Sequence, residues 1–110
     1  MSQLVLAPRL SRLPAITILG RRVPVAVGLR ARLLGLAHLD GEEAGPGLFI
    51  PRCSSIHTFG MRFVIDARFL DRHGGEIEVR RELGPCRIIS CRGAAGVLEI
   101  PSGPDLGAAL

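Results

Sequence analysis

The chain has no lysine, asparagine, tyrosine or tryptophan, and only four phenylalanines in 110 residues. Each absence excludes something. Without lysine there is no Schiff base and no phosphate-binding loop closed by a Lys-Ser/Thr pair. Without tyrosine no phenol serves as acid or base. The missing types are largely those with AT-rich codons, so a GC-rich genome is the simplest source of the bias. No apolar run approaches the ~20 residues a membrane-spanning helix needs. The N-terminal MSQLVLAPRLSRLP has no basic stretch leading into an apolar one, so no export signal is expected. Cysteine is sparse and odd in number. Three thiols without an export signal predict reduced cysteines and a cytoplasmic location.

What is present is apolar and arginine-rich. At 47% hydrophobic and 22% charged, the chain is expected to fold as a single domain over residues 1–110. Its fourteen basic residues are all arginine, and the net charge is +4. Guanidinium forks match carboxylate and phosphate, so a small anionic ligand or a protein partner is the expected binding partner. The arginines are spread along the chain with no aromatic residues interleaved, which argues against a nucleic-acid interface. Nothing here sets an oligomeric state.

Along the chain, residues 4–7 read as a short edge strand. Residues 15–19 and 23–27 read as the arms of an N-terminal hairpin, turning at Gly20, Arg21 and Arg22. Residues 28–39 change period. Leu29, Leu33, Leu36 and Leu39 recur at helical spacing and predict the one α-helix, with Gly35 allowing it to pack closely on a sheet. An acidic turn-rich loop follows at 40–47, then a short strand at 47–51. Residues 61–70 form the most strand-like run, with Met61, Phe63, Ile65, Ala67 and Phe69 on an apolar face. The DRHGG turn joins it to a strand at 76–80, the clearest hairpin in the chain. Further strands are expected at 87–90 and 95–100. Short strands punctuated by Gly and Pro point to a sandwich or barrel.

Four segments recur in order: RARLLGL, GPGLFIP, HTFGMRFVIDARFLDRHGGEI and GVLEIPSG. On these motifs residues 27–103 resemble the domain-of-unknown-function 192 family, in its histidine–threonine branch. The resemblance implies a small mainly β sandwich or barrel of jelly-roll type, and no particular reaction. The N-terminal hairpin, within residues 1–26, would pack on that core. Family members continue into a further glycine–aspartate turn and strand where this chain reads DLGAAL.

Candidate site residues follow from polar groups in apolar surroundings. Asp66 and Glu99 sit inside apolar strands, as do Arg62 and Arg68. Two accounts stand side by side. In one, these residues form internal ion pairs and tie down loops. In the other, His57, Thr58, Arg62, Asp66 and Glu99 gather as a polar patch that binds a ligand. A bulge or close backbone approach is expected at Gly60, and a bulge there would bring His57 and Asp66 to one face. The pattern predicts no metal site and no cofactor. Were a metal bound, Cys53, His57, Cys86 and Cys91 would be its ligands, although neither cysteine spacing is a paired CxxC. The function these residues favour is a non-enzymatic binding or accessory module. The alternative is a small hydrolase-like or metal-dependent enzyme using His57 with Cys53 or Asp66.

Overall fold

The tightest local instruction is the Leu19–Gly20 pair. Both residues take positive φ, 49° and 74°, which is the two-residue turn whose twist matches antiparallel strands. It joins β1 (Ala15–Ile18) to β2 (Arg21–Pro24), pairing Ile18 with Arg21. The hairpin is as expected, but the turn comes one residue earlier, so Arg21 and Arg22 belong to the strand. The structure is a computed structural model and describes residues 7–103. Most of the edge strand expected at 4–7, and the DLGAAL segment, lie outside the described residues.

The fold is mainly β. Its centre is an antiparallel sheet in the order β3 (Leu48–Pro51), β8 (Gly96–Pro101), β5 (Ile65–Leu70), β6 (Glu76–Leu83). A second, two-stranded sheet pairs β4 (Ser55–His57) with β7 (Ile88–Ser90). Among the described residues three short helices complete the elements: α1 (Pro8–Ser11), α2 (Leu29–Leu34) and α3 (Gly41–Ala44). Among the described residues the strands close no barrel. The central sheet ends at β6, EIEVRREL, whose run of charges keeps its outer edge in water. Among the described residues no helix is long and apolar enough to cross a membrane.

β8 explains the layering. It is the second strand of four and is buried along nearly its whole length. Its side chains alternate between two cores. Val97 joins the main core with Ile65, Ala67, Phe69, Leu48 and Ile50. Leu98 and Ile100 face the other way, onto Val23, Ile16, Ile18 and Phe49 of the hairpin side. By the same period of two, Glu99 points into the main core beside Val97. The apolar face read for residues 61–70 holds where the strand forms, since Ile65, Ala67 and Phe69 are all fully buried. The strand starts only at Ile65, because its partners run out there: Ile65 pairs with Leu83 and with Pro101, the last residues of their strands.

The expected helix over 28–39 is half that length. It stops at Gly35, whose φ of 54° leaves the helical region. Leu29 and Leu33 are exposed, at 74% and 59%, while Leu36 and Leu39 are buried but lie beyond the helix. The leucine spacing therefore reports two surfaces and not one stripe. Gly35 does allow close packing: a Cβ there would sit 2.6 Å from Glu99 Oε1. Gly60 is likewise a close approach rather than a bulge. The His38 ring lies against it, and the His38 N–H donates to its carbonyl at 2.8 Å.

Candidate functional site

Glu99 is the centre of the site. It is 1% exposed, in a strand whose neighbours across the sheet are Leu48 and Ala67. The Leu36 backbone N–H is directed at the carboxyl group and favours its ionised form. Oε1 is buried with no hydrogen-bond partner. Burial pushes the Glu99 pKa up to about 8, against the opposing pull of the Leu36 N–H and the Arg9 charge. Arg9 is near but does not pair with it. Its guanidinium donates instead to the carbonyls of Gly35 and Ala37, at 2.9 and 2.6 Å. At neutral pH Glu99 is therefore mainly a carboxylic acid. Oε1 is without a partner whether it is the hydroxyl or the carbonyl oxygen of that acid.

Glu99 forms the floor of a cavity of about 120 Å³, with Arg32, Gly35, Cys53 and His57 among its walls. The walls are held by side-chain ties to backbone. Arg32 donates to the carbonyls of Pro51 and Arg52. The His57 ring reaches the Leu33 carbonyl from Nε2 at 2.7 Å, and its Nδ1 accepts the Phe59 N–H at 3.1 Å. These two bonds assign the proton to Nε2. The ring also stacks on Phe59, with centroids 5.5 Å apart. The Cys53 thiol donates to the Ser55 carbonyl at 3.0 Å. Arg32 and His57 together hold α2 across the segment leading into β4, and so roof Glu99.

The remaining candidates lie elsewhere. Asp66 is not on a strand with His57, which belongs to the β4–β7 sheet. Its Oδ1 accepts the Glu82 N–H at 2.9 Å and the Ser102 hydroxyl, and its Oδ2 lies 3.5 Å from Arg81. Between Ile65 and Ala67 the hairpin carries two residues of β6, Arg81 and Glu82, opposite Asp66 alone. Asp66 thus takes up an N–H that this bulge frees from the ladder. Arg62 pairs with Asp40 at 3.5 Å on the open surface, and Arg68 with Glu76 at 2.7 Å across the hairpin. For these residues the structural account describes the contacts.

Thr58 is fully buried. Its hydroxyl donates to the Gly84 carbonyl at 2.7 Å and accepts the Arg87 N–H at 2.8 Å, tying the 84–87 turn to β4. Replacing Thr58 with valine keeps the shape and strands both backbone groups. The expected loss is about 2 kcal/mol of unfolding free energy, read by urea denaturation.

All three cysteines are unpaired, with Cys86 exposed and Cys91 buried at the two ends of the segment carrying β7. Pairing of β4 with β7 brings the two cysteine-bearing segments side by side, with the Cys91 N–H on the Ser54 carbonyl and the Cys86 N–H on the Thr58 carbonyl, yet among the described residues no three His, Cys, Asp or Glu side chains converge as metal ligands. Sequence reasoning named Glu99, His57 and Cys53 but missed Arg32. No signal marks Arg32 in the sequence, because its partners are backbone carbonyls about twenty positions away. Comparisons with protein-family models, with curated proteins and with solved structures found no match.

Proposed function

We propose that this protein is a small binding module that grips an oxygen-bearing ligand, or an equivalent group of a protein partner, in the cavity above Glu99. One observation carries the reading: Glu99, which has a buried carboxyl oxygen with no partner, lines a cavity whose walls are tied in place. A buried polar group left unsatisfied costs about 1–3 kcal/mol, and a ligand acceptor at Oε1 would relieve that penalty. The cavity admits only a few non-hydrogen atoms, such as a carbonyl or carboxylate group. Binding fits better than catalysis. Both His57 nitrogens are engaged with backbone, and the Cys53 proton goes to a carbonyl, so neither group is poised for proton transfer. We also read the four ordered motifs as kinship with the domain-of-unknown-function 192 family. The three unpaired thiols suit a reducing cytoplasm.

The test uses acetamide and acetate as probes, followed through backbone amide resonances. At about pH 6, where Glu99 is an acid, both should shift Gly35, Leu36 and His57. At about pH 10 the ionised carboxylate repels acceptors and the shifts should vanish. Glu99→Gln keeps a donor and should bind acetamide at both values, whereas Glu99→Met should bind at neither. Shifts scattered over the surface, or equal in wild type at both pH values, would sink the reading.

A further inference from the structure

The other side of α2 carries a second cavity, which shares only Leu34 with the lining of the first. It is a groove of about 430 Å³ between α1 and α2, within the range of small-molecule sites. Leu13, Val27 and Leu34 supply its apolar lining, and Val27 is 49% exposed. Three guanidinium groups border it: Arg9, Arg12 and Arg30. Arg12 and Arg30 make no ion pair among the described residues, whose pairs involve Arg62, Arg68, Arg80 and Arg81. Arg9 is half-buried, and burial and then the Arg30 charge hold its pKa below the ordinary arginine value. Its bonds to Gly35 and Ala37 use two of its five donors. The acids that act on it are Glu43 and Glu99, and Glu99 is mainly neutral at pH 7. Guanidinium charges thus border an apolar cleft in which Arg12 and Arg30 have no ion-pair partner among the described residues.

We propose that this groove binds an organic anion with an apolar body, a carboxylate of the medium-chain fatty-acid kind. Its head would lie on Arg12 and Arg30, and its chain along Leu13, Val27 and Leu34. The concave shape and size favour a single small molecule over an extended surface. Two-pronged guanidinium contacts would fix the head, and the anion would relieve the repulsion between Arg9 and Arg30. Transfer of the chain from water supplies the rest.

The experiment is calorimetric titration of the full chain with octanoate at low salt and neutral pH. A single saturable event is expected. Arg12→Gln and Arg30→Gln, both surface changes, should each weaken it about tenfold, and added salt should weaken it further. Octyl glucoside, which lacks the charge, should not bind over the same range, and acetate, which lacks the chain, should leave the Val27 and Ala31 amides unshifted. Amide shifts should centre on Val27 and Ala31. The proposal is overturned if octanoate does not saturate, if octyl glucoside binds as well, or if neither substitution matters. It is equally overturned if the shifts centre on Gly35 and His57, which is the response assigned to the Glu99 cavity. Binding of single-stranded DNA or of anionic phosphatidylserine vesicles with octanoate silent would mark an extended surface and also overturn it.

Discussion

Replacing Glu99 with glutamine is expected to flatten the stability of this protein against pH and to make the variant the more stable form in alkali. The sign follows from where the proton is held. The folded chain keeps the Glu99 proton up to about pH 8, while the unfolded chain releases it near 4.5. Between those values the folded state binds more protons than the unfolded state, so unfolding free energy falls as pH rises. The contribution is fully present below pH 4.5 and is gone above pH 8. The slope inside the window is about 1.4 kcal/mol per pH unit. Glutamine has nearly the same shape and no proton to lose, so its curve lacks this slope. At about pH 9 the variant should exceed the wild type by roughly 3 kcal/mol or more, and near pH 4 the two should be close. Urea unfolding across the range reads both curves. Parallel curves would mean that the carboxylate is accommodated in the fold.

The second large effect is expected from Gly47→Ala. Gly47 leads into β3 with φ of 118°, a conformation that side chains rarely adopt. A Cβ there would also run into the backbone carbonyl oxygen of Glu99 and come within 3.4 Å of the Ile100 Cα. The obstacle is main chain in a strand paired on both sides, so it cannot rotate out of the way. Either β3 separates from β8 or Gly47 leaves its conformation. The expected loss is about 3 kcal/mol or more, combining strain at positive φ with overpacking. Gly74→Ala provides the control. It has φ of 84° but no atom within 4 Å of the new Cβ, so it should suffer the strain alone, about 1 kcal/mol. Equal losses at the two positions would show that the contact with β8 is not what matters.

These effects depend on contacts that the sequence reveals unevenly. Local patterns were legible. Ile65, Ala67 and Phe69 alternate onto the core, and the DRHGG turn is closed by Asp71, which accepts the His73 and Gly75 N–H groups at 2.8 and 2.9 Å. Both features involve residues a few positions apart. The helix was less legible because hydrophobic spacing does not say which surface each leucine covers. Leu36 and Leu39 belong to the core, Leu29 and Leu33 do not, and Gly35 divides them. The pairing of His57 with Asp66 was not legible, since it depended on whether β4 continues into β5. In the structure β4 instead joins β7, about thirty positions along, and leaves Asp66 to the bulge of β6. Glu99 stood out as a charge inside an apolar strand. Its lack of an ion-pair partner did not, because the nearby Arg9 satisfies two carbonyls of the turn after α2.

Titration of the Glu99 carboxyl itself decides whether that group is isolated. Carbon-detected NMR of protein labelled at glutamate side-chain carbons, with Glu99→Gln to assign the resonance, follows the carboxyl through pH. A Glu99 midpoint near 8 is expected. A Glu99 midpoint close to the ordinary value of 4.5 would mean that it is charged and compensated at neutral pH. The proton-donating cavity and the alkaline gain of the glutamine variant would then both be contradicted.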